Sequence, residues 1–133
     1  MKIFRPASAD DMNFILNSWL KSYKDSVICE NIPANIYYEE HKKTVETHIA
    51  NSSIIMAVNP EDPDQIFGYC VYEAPMTLHY MYVKYPFRKF GIGKDLYLEA
   101  GSPTIVSHLP RDYKSLKKKY GLIYTPYIKD TNI

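Results

Sequence analysis

Arg88-Lys89-Phe90-Gly91-Ile92-Gly93-Lys94 sets two glycines among three cations, directly after an apolar run. Glycine lets backbone come close to a ligand or supplies a dihedral that other residues avoid, and the basic neighbours point to a ligand that is negatively charged. With a strand before it and a helix after it, such a stretch can hold a phosphate or pyrophosphate. The unpaired amides of a helix's first turn and the helix dipole both favour an anion there. Arg88 adds bidentate capacity, and Lys89 and Lys94 add salt-sensitive attraction. Two other phosphate motifs do not fit: Asp95 stands where the Walker motif needs a hydroxyl, and Leu96 takes the third glycine position of the dinucleotide fingerprint. A tight turn carrying exposed basic residues is the competing reading of the same residues.

Other chemistry is sparse. His41 and His48 are seven positions apart on one helix, about 10 Å along its axis at ~1.5 Å per residue, which is too far for two ligands of one zinc. No metal is expected. No G-x-S-x-G elbow occurs, and neither Cys29 nor Cys70 has surroundings that mark a nucleophile. Cys70, inside IFGYCVY, reads as a buried free thiol, and no disulfide is expected.

The elements that would position the glycine loop follow from periodicity and breakers. KIFRP is a short strand ended by Pro6, and Ser8 with Asp11 forms a capping signal for a helix whose apolar stripe is Met12, Ile15, Leu16, Trp19, Leu20 and Tyr23. A second helix runs from Ala34 to Ala50, with Tyr38, Val45 and Ile49 on its stripe. Ser53 to Val58 and Gln65 to Tyr72 read as an antiparallel pair across the turn NPEDPD, and Thr77 to Val83 as the next strand. KDLYLEA is a helix closed by Gly101, Thr104 to His108 a strand, Asp112 to Gly121 a helix, and LIYTPYI a last strand divided by Pro126.

At 133 residues the chain has the size of one domain, spanning 1–133. The 46% hydrophobic and 23% charged content suits a globular protein, and a net charge of +1 gives no reason to expect a nucleic-acid binder. The opening residues lack a signal peptide's apolar core, and no segment approaches the ~20 apolar residues of a membrane span. A cytosolic protein is expected, or one of a virus particle assembled there. The 13 tyrosines fit either a partner-facing surface or biased codon usage.

Arg88 to Gly93 matches the [RQ]-x-x-G-x-[GA] signature of the GNAT superfamily of N-acetyltransferases, and LHYMYVKYPF before it resembles the family's lead-in strand. KIFRPASADDM resembles the family's first strand and helix start, and KKKYGL the end of its last helix. The resemblance implies an α+β fold with a mixed, mostly antiparallel splayed sheet and helices on both faces. It implies acetyl-CoA as co-substrate, its pyrophosphate on Arg88, Lys89, Phe90, Gly91, Ile92, Gly93 and Lys94 and its pantetheine arm along Met81, Tyr82 and Val83. The acceptor would be a small-molecule or protein amine.

The catalytic positions depart from the family's pattern. Thr77 stands where many members carry a glutamate base, with His79 nearby as a substitute because its pKa is naturally near neutrality; a histidine at the edge of a packed sheet is the plain alternative. Lys117 holds the place of the thiolate-protonating tyrosine, with Tyr113 and Tyr120 flanking it at helical spacing but off the aligned position; Tyr120 is the catalytic candidate, and its plainer reading is a packing residue at the helix end. Twelve residues follow Gly121, fewer than the two strands that usually build the acceptor wall. Two functions stand side by side: an acetyl-CoA-dependent N-acetyltransferase, or a catalytically inactive GNAT-like domain serving as a binding or structural module, as a homo-oligomer or with an assembly partner.

Overall fold

Asp11 joins the first strand to the first helix. The computed structural model describes residues 1–127, and in it Asp11 Oδ2 accepts from the Ser8 amide at 2.8 Å while its two oxygens take Arg5 Nη1 at 2.7 Å and Nη2 at 3.1 Å. The capping signal is therefore real, and it ties the exit of β1 (Ile3–Pro6) to the entry of α1 (Met12–Lys24). Pro6 is the last residue of β1, as the sequence predicts. That is possible because β1 is the edge of the sheet, where a missing N–H costs no ladder bond.

Helix α1 buries Ile15, Trp19, Leu20 and Tyr23, as its stripe predicts. Helix α2 (Ala34–Asn51) is rotated from the expected stripe: Tyr37 is 2% exposed and Tyr38 40%. The Tyr37 hydroxyl donates to the Leu20 carbonyl at 2.6 Å, a bond to α1 that selects this tyrosine over its neighbour.

The remaining elements are β2 (Ser53–Asn59), β3 (Asp62–Glu73), β4 (Thr77–Val83), α3 (Ile92–Glu99), β5 (Ile105–Val106), α4 (Tyr113–Tyr120) and β6 (Ile123–Tyr124). The six strands form one sheet in chain order; β1 to β4 pair antiparallel, while β4–β5 and β5–β6 pair parallel. Val58, Tyr69 and Val71 turn to a cluster with α1 and α2, and Ala57, Cys70 and Leu78 turn to a second cluster with Leu96 and Tyr97 of α3, against which Leu116 and Tyr120 of α4 pack. The fold is thus α+β, with a mixed, mostly antiparallel sheet and helices on both faces. Burial pushes the Cys70 thiol up to about 12, leaving it inert and apolar.

The last two strands are shorter than the sequence suggests. Thr104 to His108 contributes only Ile105–Val106, and LIYTPYI only Ile123–Tyr124, its end at Ile128 lying outside the described residues. Among the described residues no helix is long and apolar enough to cross a membrane.

Candidate active site

Strands β4 and β5 pair at only two rungs, Thr77↔Ile105 and Leu78↔Val106, with one further bond from the Ser107 amide to the Leu78 carbonyl at 3.1 Å. Strand β4 then runs on to Val83 against β3 alone. The cause lies in the register: Tyr72 faces Leu78 and Val71 faces Tyr80, so His79 is an extra residue on β4. Such a bulge bends its strand and raises its twist. Past this point Tyr80 to Val83 have no β5 residue beside them, and the sheet opens into a wedge.

At the open end of β4 the glycine loop folds back. Arg88 Nε donates to the Val83 carbonyl at 2.8 Å, and its guanidinium lies 5.9 and 5.7 Å from the Tyr82 and Tyr85 ring centres. An anion would therefore meet Arg88 only through Nη1 and Nη2. Lys89 and Gly91 both have positive φ, +70° and +79°, which turns the chain sharply into α3. The first bond of α3 runs from the Asp95 amide to the Gly91 carbonyl, so the amides of Ile92, Gly93 and Lys94 precede the helix's own ladder. A side chain on Gly91 would meet nothing within 4 Å, whereas one on Gly93 would lie 3.5 Å from Met81 Sδ. The structure places Met81 and Val83 beside Gly93 and Arg88 against the Val83 carbonyl, with an open space above Gly91. Phe90 is exposed, Ile92 is buried in the core, and Asp95 is paired to Lys2 Nζ at 2.5 Å.

His79 is not at a sheet edge and does not lack a carboxylate partner. It is 1% exposed on an interior strand, with Nε2 at 2.7 Å from Glu73 Oε1 and Nδ1 at 2.6 Å from Ser107 Oγ. Glu73 faces Thr77 in the β3–β4 register, so a carboxylate sits across from the position where the resemblance places one, supplied by the neighbouring strand. Ser107 Oγ is also 3.1 Å from His108 Nδ1, and His108 Nε2 is 2.9 Å from His41 Nε2. His48 stacks on His79 with centroids 3.8 Å apart. All four histidines of the chain meet here, beneath α1 and α2. Burial lowers the pKa of each; His48 is pushed down to about 4 by desolvation and then by His79 and His41, while for His79 Glu73 opposes the desolvation. The cluster was not legible in sequence, because its members are scattered from residue 41 to residue 108.

Solved structures share the fold. A GCN5-related N-acetyltransferase from Rhodopseudomonas palustris superposes with a TM-score of 0.62 at 14% identity, over 90% of this chain and 80% of that one. YjaB from Escherichia coli in its apo form superposes with a TM-score of 0.56 at 18% identity, over 75% of this chain. The chain has the GNAT fold. It spans 64% of the length of YjaB. No family model and no curated protein matches the sequence.

Within this GNAT fold the two catalytic candidates of the sequence lie apart. His79 faces α2, while Tyr120 packs on Tyr97 of α3 across the sheet, with ring centres 4.7 Å apart and Lys119 Nζ 5.2 Å over its ring. Tyr113 is engaged with β6, accepting from the Tyr124 amide at 3.1 Å, and Lys117 Nζ lies 5.9 Å from its ring centre. On the other side of the wedge the Tyr23 hydroxyl accepts from the Leu109 amide at 3.0 Å, tying the segment after β5 to α1.

Proposed function

We propose that this chain is an acetyl-CoA-dependent N-acetyltransferase acting on an amine. The observation that carries the reading is the two-rung β4–β5 ladder, opening towards three free amides at the start of α3. The free edge of β4 at Met81, Tyr82 and Val83 suits the amide-bearing pantetheine arm. The amides of Ile92, Gly93 and Lys94, with Arg88 and Lys89 nearby, suit the pyrophosphate. The open space above Gly91 fits that group, since a side chain there would occupy it.

Transfer forms a C–N bond and breaks the thioester C–S bond; the acceptor ammonium gives up one proton to a base before attack, and a second passes from the nitrogen to the departing CoA thiolate, directly or through water. His79 is too buried to touch an acceptor, but Glu73, with a side chain 35% exposed, is open to one. Glu73 takes the first proton, and His79, held by Ser107, steadies the carboxylate. The acceptor amine and any oligomeric or assembly partner belong to the same proposal.

A second reading, an inactive binding or structural module, draws support from the Tyr23–Leu109 bond, which ties the segment after β5 to α1, and from Lys117 in place of a tyrosine. Isothermal titration with acetyl-CoA and with CoA at low salt separates the two. Stoichiometric heat supports the enzyme; its absence leaves the module.

A further inference from the structure

We propose that His48 of α2, with Glu73 and His79 of the β3–β4 hairpin, forms a binding site for one divalent transition-metal ion of the zinc type. One ligand atom from each residue lies within 4.8 Å of the other two. Around a tetrahedral ion with bonds of about 2.0–2.2 Å, ligand atoms stand roughly 3.3 Å apart. The three are thus within about 1.5 Å of closing on one ion. Two imidazoles and a carboxylate match the softness of zinc, cobalt or nickel better than that of magnesium or calcium, and a fourth position remains for water.

The surroundings suit ligation. Metal-bound histidines usually anchor their other ring nitrogen; His79 Nδ1 has Ser107 Oγ at 2.6 Å, and an ion at Nε2 would take the place of the proton that Nε2 shares with Glu73. Burial keeps both imidazoles neutral, the form that binds metal. His41, His79 and His108 are each hydrogen-bonded through a ring nitrogen. His48 is held instead by stacking on His79, which leaves its nitrogens uncommitted among the described residues. An ion would draw the stacked rings apart at one edge and use that nitrogen. Glu73, partly exposed, offers the way in. The spacing of His41 and His48 excludes a site built from that helix alone; here the partners of His48 come from two other elements.

Occupancy would clamp α2, which buries only Tyr37 and Val45 among its residues, to the hairpin. It would also fix His79, the bulge residue at which β4 leaves β5. Glu73 and His79 also serve in the proposed transfer, so an occupied site would withdraw Glu73 from proton acceptance; the readout of the test is metal binding and does not depend on transfer.

The test titrates chelator-treated protein with Zn²⁺ by calorimetry and with Co²⁺ by visible absorption. One equivalent should bind, with Co²⁺ giving four-coordinate bands. His48→Gln should abolish binding, Glu73→Gln should weaken it more than tenfold, and Ser107→Ala should weaken it roughly 10–100-fold. His41→Gln should leave it unchanged. If His48→Gln does not fold, Glu73→Gln, at a partly exposed and isosteric position, carries the test. Absence of stoichiometric binding overturns the proposal, as does binding that survives both His48→Gln and Glu73→Gln or that is lost only with His41→Gln.

Discussion

His79 Nδ1 lies 2.6 Å from Ser107 Oγ, a side-chain bond between β4 and the residue just after β5, at the point where the strands part. It continues the link between the strands where the backbone ladder stops. Ser107 is 5% exposed and also faces His108 Nδ1, so its removal leaves buried ring nitrogens unpaired. Ser107→Ala should cost about 1–3 kcal/mol in urea unfolding, whereas Ser115→Ala, at an exposed position on α4, should change little.

Acid should weaken the fold in a window set by the histidines. All four have a folded pKa below 6.5, so below that pH the unfolded chain binds more protons than the native one. Stability present above pH 6.5 is lost as pH falls through the folded values, that of His48 being about 4. Each extra proton contributes a slope of about 1.4 kcal/mol per pH unit. Asp11, held below the usual carboxylate range first by its bond to Arg5, acts only below about pH 3.8 and falls outside this window. Urea midpoints at pH 7.5, 6 and 4.5 should decline steadily, and His48→Gln should flatten the decline.

The glycine loop separates turn geometry from anion binding. Gly91→Asp has space for its side chain but must adopt φ near +79°, a strain of about 1–2 kcal/mol. It should therefore lower stability modestly while abolishing CoA binding through charge and lost access. Arg88→Ala should weaken binding less and reduce its salt dependence, and it should also loosen the loop, because Nε holds the Val83 carbonyl. Calorimetric CoA titrations at two salt concentrations, alongside thermal melts, read both effects.

What the sequence made legible was local. The Ser8–Asp11 cap, the α1 stripe and the strand–loop–helix around Gly91 each depend on neighbours in the chain, and each appears in the fold. What it hid was non-local. Glu73 reaches His79 only because the β3–β4 register carries a bulge, and Tyr37 displaces Tyr38 from the core through a bond to α1. Neither register nor helix rotation can be read from spacing when adjacent positions hold the same residue type or when one extra residue resets the pleat.

Tyr120 tests how far family position can be carried over. Its ring packs on Tyr97 on the face opposite His79, so its hydroxyl lies on the wrong side of the sheet to act together with the Glu73–His79 pair. Tyr120→Phe should keep both melting temperature and acetyl-transfer rate near wild type, while Glu73→Gln should lower the rate at least tenfold with little change in CoA affinity. A large rate loss in Tyr120→Phe with binding intact would return Tyr120 to the catalytic set.

Gly68 sets how closely β3 approaches the end of β4. A Cβ there would stand 2.5 Å from the Tyr82 carbonyl oxygen and 3.0 Å from Val83 Cα, both backbone atoms that cannot swing aside. Gly68→Ala must therefore push the Tyr82–Val83 segment away from β3 or unfold it. That segment carries the wedge edge and, through the Val83 carbonyl, the Arg88 anchor of the loop. Overpacking of this kind costs about 1–3 kcal/mol, measurable as a lowered urea midpoint. If the wedge binds CoA, affinity should fall along with stability, although Gly68 itself lies on β3 and its backbone does not face the wedge. Gly121→Ala gives the contrast: it also strains the backbone, at φ +68° closing α4, but a Cβ there meets nothing within 4 Å. It should lower stability while leaving CoA affinity unchanged. Equal loss of affinity in both variants would mean that binding tracks global stability rather than the position of β4.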